Sequence, residues 1–218
     1  MMQINVLAGG PAQQYPRKMF EQKGSWIGVD RGALVLIQHH ITPQIAVGDF
    51  DSMSVEEFSE VKNNISKIIQ VNAIKDDTDT ELALKAAFER LQTDTDEVHL
   101  YGMTGGRLDH LLSNIFMFLK PRFNPYIERV RLIDRQNYMR FFKAGQYTLE
   151  ELSAYKYLSF VLLGNVSNLT LPDEKYQLHD QSDRFPIAYV SNEFLKSTAS
   201  FSFSSGIVAV IYSHDVAD

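Results

Sequence analysis

The stretch "QIAVGDFDSMSVEEFSEVKNN" (Gln44–Asn64) opens with a short, nearly continuous apolar run, breaks at Gly48, and passes through Asp49-Phe50-Asp51 into a segment of helical character. An apolar run without polar alternation suits a strand covered on both faces. A strand that feeds a helix is half of a βα unit, the building block of parallel sheets.

The same texture recurs on either side. "INVLA" (4–8), "WIGVD" (26–30), "KIIQV" (67–71) and "EVHLYG" (97–102) read as further strands. Between them "RGALVLIQHH", "SVEEFSEVKNN", "TDTELALKAAFERLQ" and "RLDHLLSNIFMFLK" read as helices. In the third, Leu82, Leu84, Ala87, Phe88 and Leu91 fall near one helical face. Strands alternating with helices predict an α/β domain with a mostly parallel sheet. The pattern stops at "KPRFNPY" (120–126), where two prolines and an asparagine mark a boundary. Beyond it, "RVRLID", "NYMRFFKA", "QYTLE", "KYLSFVLLG", "NLTLP", "IAYVSNEF", "ASFSFSS" and "GIVAVIYS" are short strand candidates at close spacing, as in an antiparallel β-sandwich. The expected domains are residues 1–125, α/β, and 126–218, all-β.

Composition narrows the function. The chain has 218 residues, 44% of them hydrophobic and 22% charged, with a net charge of −6. Without clustered Lys and Arg to neutralise phosphates, no nucleic-acid partner is expected. There is no cysteine, which excludes disulfides, thiolate metal sites and a Cys nucleophile. The N-terminus has no secretory leader pattern and the apolar runs are too short to cross a bilayer, so no membrane role and a cytoplasmic location are expected.

Asp49 and Asp51 are i and i+2 at the carboxyl end of a predicted strand, where open α/β sheets bind ligands. If the strand persists, both project to one side and repel, and a divalent cation would turn repulsion into coordination; Mg²⁺ suits one or two carboxylates plus phosphate oxygens. The plainer reading is a turn in which Asp51 or Ser52 caps the next helix. A second cluster, "KDDTDTELAL" (75–84), has capping-box spacing at Thr78 and Glu81, but three aspartates, Asp76, Asp77 and Asp79, exceed what a cap uses. It too follows a predicted strand. In "YGMTGGRLDHLLSN" (101–114) a glycine-rich loop enters a helix, which favours anions, and Arg107 adds a fork suited to phosphate oxygens. "LAGGP" and "VDRGA" put further glycines, Asp30 and Arg31 on the same edge. Each loop alone could be an ordinary βα turn. Together, carboxylates for a metal and glycines with arginine for phosphate describe a magnesium–nucleotide site.

In this order and at these spacings, "GVDRGA", "VGDFDS", "KDDTDTELAL" and "GMTGGRLDH" resemble the thiamine pyrophosphokinase family. The resemblance implies an α/β catalytic domain, a β-sandwich and a homodimer with the thiamine site built between domains and across subunits. It implies transfer of the diphosphate of ATP to thiamine, giving thiamine diphosphate and AMP. Asp49, Asp51 and Asp79 would hold Mg²⁺, with Asp76, Asp77 and Thr78 nearby, and with Asp109 they form the implied catalytic set. Gly105, Gly106, Arg107 and Asp109 would lie beside the nucleotide phosphates, and Ser191 and Asn192 would contact thiamine. The family's glycine-rich turn after that pair is replaced here by "LKSTASFSFSSG". The proton acceptor stays open between Asp79 and Asp51, and His110 at a helix start is assigned a structural or phosphate-side role.

Two rival readings remain. An Asp-x-Asp phosphatase of haloacid-dehalogenase type would carry its motif on the first strand, whereas here it follows the third. A non-catalytic nucleotide- or vitamin-binding module would not require so many carboxylates.

Overall fold

In a computed structural model describing residues 1–70 and 77–215, the chain forms two compact units. The first comprises Met1–Phe118 and Arg129–Arg135, the second Leu119–Glu128 and Gln136–Asp218.

The first unit holds β1 (Gln3–Leu7), β2 (Ser25–Val29), α1 (Arg31–Gln38), β3 (Ile45–Gly48), α2 (Val55–Asn64), β4 (Ile68–Gln70), α3 (Asp79–Phe88), β5 (Glu97–Tyr101), α4 (Leu108–Phe116) and β6 (Val130–Ile133). The strands lie in the order β6-β5-β1-β2-β3-β4. Every pair is parallel. Burial on both faces explains why these strands read as unbroken apolar runs; all four residues of β3 are buried. Ala33 and Leu34 of α1, Ala46 of β3, and Val61 and Ile65 at the end of α2 share one apolar cluster. Sequence order runs outward from β1 to β4 and then returns to β1's other side with β5, so the order reverses between β1 and β5.

β6 corrects the sequence reading. "RVRLID" was expected with the sandwich, but Val98, His99 and Leu100 pair in parallel with Val130, Arg131 and Leu132. The segment after the Pro-rich boundary returns once to the first unit before the antiparallel part begins.

The second unit is antiparallel: β7 (Asn137–Glu150), β8 (Tyr157–Leu162), β9 (Val166–Leu171), β10 (Leu178–Asp183), β11 (Ile187–Asn192) and β12 (Thr198–Ser213). The four candidates "NYMRFFKA", "QYTLE", "ASFSFSS" and "GIVAVIYS" are two long strands, β7 and β12, paired along their length. The register shifts between Phe203 and Ile207, where Gly206 has φ 95°. Such an irregularity bends a ladder without ending it. The first half of β12 pairs with β9 and the second with β8. Period-two alternation buries Phe201 and Phe203; the Phe201 ring lies 5.1 Å from Phe142 and 5.3 Å from Phe160. β10, "LHDQSD", is too polar to announce itself and pairs only β9 in the described sheet. Among the described residues no helix is long and apolar enough to cross a membrane.

Glu174, in the β9–β10 connection, is fully buried. One carboxyl oxygen accepts from Asp173 N at 3.2 Å. The other has no hydrogen-bond partner among the described residues. Burial pushes its carboxyl up to about 7. A raised folded-state pKa favours the folded state at low pH, and that advantage is lost as pH rises from the ordinary carboxyl range through 7. Between pH 5 and pH 8 the wild type should therefore lose up to about 3 kcal/mol relative to Glu174→Gln. Urea denaturation of both proteins at the two pH values measures the difference; parallel pH profiles would refute it.

Candidate active site

The reversal of strand order opens a crevice at the carboxyl ends of β1 and β5, the place where doubly wound sheets take ligands. The two loops are held together there: Ala8 N donates to Tyr101 O at 2.9 Å and Gly10 N to Gly102 O at 3.0 Å. Gly102 has φ 68°, and a β-carbon on it would lie 2.4 Å from the Ala8 carbonyl oxygen. Only glycine allows this approach. A cavity of about 470 Å³ lies over the junction, lined in part by Gly9, Gly10, Gly102, Thr104, Gly106 and Arg107.

Next to it stands a group of carboxylates. Asp30 follows β2, Asp49 follows β3, and Asp79 is the first residue of α3. One oxygen from each lies within 4.8 Å of the others, and all three residues are half-buried. Asp30 N donates to Val47 O at 2.9 Å, which seats the β2 turn against β3. Gly48 gives the necessary room, since a β-carbon there would lie 1.9 Å from Asp30 Oδ1. Thr78 caps α3 by accepting from Glu81 N at 3.2 Å. A second cavity, about 250 Å³, is lined by Asp30, Thr78, Asp79, Thr80, Asp109 and His110, among others. Asp30, Thr80, His110 and Asn114 line both cavities.

The remaining expected residues are distributed as follows. Asp51 is exposed, outside the trio, and its backbone N–H donates to Asp49 Oδ1 at 3.2 Å. The cap of α2 is Ser54, not Asp51 or Ser52, in a reciprocal box with Glu57. Asp77 is half-buried and Asp76 lies outside the described residues. Gly105 and Gly106 are exposed in the β5–α4 loop. Arg107 forks onto Asp109, with Nε to Oδ1 at 3.1 Å and Nη2 to Oδ2 at 2.5 Å. The Arg107 hydrogen bond is the main cause holding the Asp109 carboxyl below its usual range. A carboxylate so stabilised is a poor proton acceptor. Arg31 donates to the Ser52 carbonyl and to both oxygens of Glu57.

In the second unit, Asn192 is buried and its amide is committed to backbone. Its oxygen accepts from Tyr176 N at 2.8 Å and Glu193 N at 3.0 Å, and its nitrogen donates to Tyr176 O at 2.8 Å. Ser191 is exposed at φ 60°, a conformation uncommon for a non-glycine residue. A cavity of about 250 Å³ beside them is lined by Leu171, Tyr176, Leu178, Ala188, Tyr189, Val190 and Asn192.

Sequence reasoning placed Asp30 on this edge but not among the carboxylates expected to hold a metal. Its signal was present, since "VDRGA" follows a strand, but adjacency of β2 and β3 is not written in chain spacing. Glu57 was missed altogether, although Ser54-x-x-Glu57 is a capping box by inspection.

Fold and edge together define a doubly wound α/β enzyme whose carboxylates gather beside a glycine crevice, followed by an antiparallel β unit. The chain belongs to the thiamin pyrophosphokinase family: the model of its catalytic domain matches residues 16–128 and that of its vitamin B1 binding domain residues 146–208. It is 35% identical to the thiamine pyrophosphokinase of Bacillus subtilis (strain 168), over 99% of this chain and 100% of that protein. Among solved structures, a thiamin pyrophosphokinase family protein from Enterococcus faecalis matches with TM-score 0.92 and 40% identity, covering 98% of this chain and 99% of the other. The thiamin pyrophosphokinase of Geobacillus thermodenitrificans matches with TM-score 0.84 and 33% identity, covering 99% of each.

Replacing Asn192 with alanine should leave the Tyr176 backbone groups unsatisfied and cost about 1–3 kcal/mol. Hydrogen exchange should show faster loss at the Tyr176 and Glu193 amides; unchanged protection at both would refute this role.

Proposed function

We propose that the chain transfers the diphosphate group of ATP to thiamine, forming thiamine diphosphate and AMP. Family membership supports the reaction, and the carboxylate trio beside the glycine crevice is the observation that supports the site. The hydroxyethyl oxygen of thiamine attacks the β-phosphorus, the bridge to the α-phosphate breaks, and the hydroxyl proton is released.

Mg²⁺ fits the trio by chemistry and spacing. Carboxylate oxygens are its preferred donors, and three of them within 4.8 Å of one another could close onto one cation. Asp30, Asp49 and Asp79 would hold it, with Asp51 and Asp77 as further acidic groups of the edge. Bound there, the cation would neutralise phosphate charge and orient the transferred group. The Gly9 amide and those of the Gly105–Gly106 loop would face the polyphosphate, the Gly10 amide being held by the Gly102 carbonyl, and Arg107 would exchange Asp109 for a phosphate oxygen. Asp109 orients that arginine. Ser191 offers a hydroxyl toward thiamine, while Asn192 holds the segment that carries it. We assign the first unit, with β6, to nucleotide binding and the antiparallel second unit to thiamine binding, in place of a division at residue 125. The working form is a cytoplasmic homodimer. ATP is an intracellular nucleotide, and Leu108, Leu112 and Phe116 form an exposed apolar stripe along α4 that suits a second copy.

Incubation with thiamine, ATP and Mg²⁺ tests the reading: AMP and thiamine diphosphate should appear in equal amounts. ADP with thiamine monophosphate, or no product, would overturn it. Asp49→Asn should lower kcat by about 100-fold or more with the circular dichroism spectrum unchanged. Arg107→Ala should raise the KM for ATP by about tenfold and leave that for thiamine within twofold; the reverse pattern would remove Arg107 from the phosphate side.

A further inference from the structure

Arg31 and Glu57 are 26 residues apart and meet through a two-point contact. Arg31 Nη2 lies 2.8 Å from Glu57 Oε1 and Nη1 3.2 Å from Glu57 Oε2. Nη1 also donates to the Ser52 carbonyl at 3.1 Å. Arg31 directly follows Asp30, and Ser52 lies three residues after Asp49. The contact therefore ties the turn carrying one carboxylate of the trio to the turn carrying another.

Glu57 links this tie to α2. Its Oε2 also accepts from Ser54 N at 2.9 Å, while Ser54 Oγ accepts from Glu57 N at 3.2 Å. Between these anchors the turn is strained and packed. Phe50 has φ 59°, is buried, and its ring lies 4.9 Å from Phe58 of α2. Sequence motif and phosphate logic would send Arg31 to the nucleotide. Here its fork is already matched to a carboxylate in the bidentate geometry that guanidinium groups favour.

We infer that Arg31 and Glu57 are a positioning pair that sets the separation of Asp30 and Asp49, and thereby the affinity of the trio for a divalent cation. The inference rests on the cation reading of that trio. Like-charged carboxylates relax apart unless held. A looser β3–α2 turn would let Asp49 retreat, and cation binding would then have to supply the ordering.

The test uses Glu57→Ala, which removes both the ion pair and the box, and Glu57→Gln, which keeps an acceptor for Ser54 N. Glu56→Ala is the control, because Glu56 accepts from Ser54 Oγ but is not a partner in the Arg31 contact. Mn²⁺ binding is followed by electron paramagnetic resonance with α,β-methylene-ATP, whose scissile bridge does not cleave. Glu57→Ala should weaken Mn²⁺ about five- to tenfold, Glu57→Gln less, and Glu56→Ala within twofold of wild type. The Mg²⁺ concentration for half-maximal activity should move in parallel, with kcat at saturating Mg²⁺ and the KM for thiamine within twofold. Without metal, hydrogen exchange in the peptide covering residues 50–54 should rise in Glu57→Ala. Wild-type Mn²⁺ affinity in Glu57→Ala, or a raised KM for ATP with no change in the metal constant, overturns the pair's role. Asp49→Asn run alongside separates the two ideas. If it binds Mn²⁺ as wild type does, or if wild type itself binds none, the cation reading falls. If it loses Mn²⁺ while Glu57→Ala keeps it, only the positioning role falls.

Discussion

Like charge held at short range is the constraint on which the rest of the first unit depends. Three carboxylate oxygens within 4.8 Å of one another repel by about 3 kcal/mol per pair at an effective dielectric near 20. Chain connectivity alone would never keep them there. Asp30 and Asp49 end adjacent parallel strands, which hydrogen bonding fixes about 4.8 Å apart, and Gly48 removes the one side chain that would collide with Asp30. Asp79 is delivered by a helix start, where the dipole favours an anion and Thr78 secures the first turn. The cores on either side hold this arrangement in place: β3 is buried along its whole length, and α1 and α2 close over it.

The crevice follows from topology. Reversal of strand order between β1 and β5 leaves two loops side by side with no helix crossing between them. The backbone bonds at Ala8 and Gly10 bring these loops so close that Gly102 cannot carry a side chain. Backbone polar groups are thus presented where an anionic ligand would be drawn, beside carboxylates that would repel it. A polyphosphate can occupy such an edge only if positive charge stands between it and the aspartates. For the polyphosphate of the proposed reaction, a cation held by the trio would supply that charge.

Much of this was legible in sequence because buried parallel strands leave a strong mark. β1 to β5 and the four helices read correctly, with ends displaced by one to several residues. What was illegible was whatever depends on contacts far apart along the chain. Asp30 joins Asp49 through strand adjacency, and β6 joins the parallel sheet after a boundary that looked final. β10 is a polar edge strand without an apolar signature. β7 and β12 each read as two strands because a bend looks locally like a turn. At Ser191-Asn192 the pair of residue types was visible, but not that the Asn192 amide is spent on backbone while Ser191 remains exposed.

The two arginines of the edge show why an ion pair's meaning depends on what it connects. Exposed pairs contribute about 0–1 kcal/mol to stability, so neither is explained by folding energy. Arg107 and Asp109 are two residues apart at the start of α4, with side chains about 74% and 63% exposed. Their pairing joins nothing that the backbone had not already joined, and the guanidinium can leave Asp109 for another oxyanion without disturbing a second element. Arg31 and Glu57 join two βα turns, and Arg31 also holds the Ser52 carbonyl. If Arg31 left for a phosphate, it would release the turn that positions Asp49, weakening the cation site at the moment the nucleotide arrives. On the proposed reading, one arginine would serve the ligand and the other would stay with its turn.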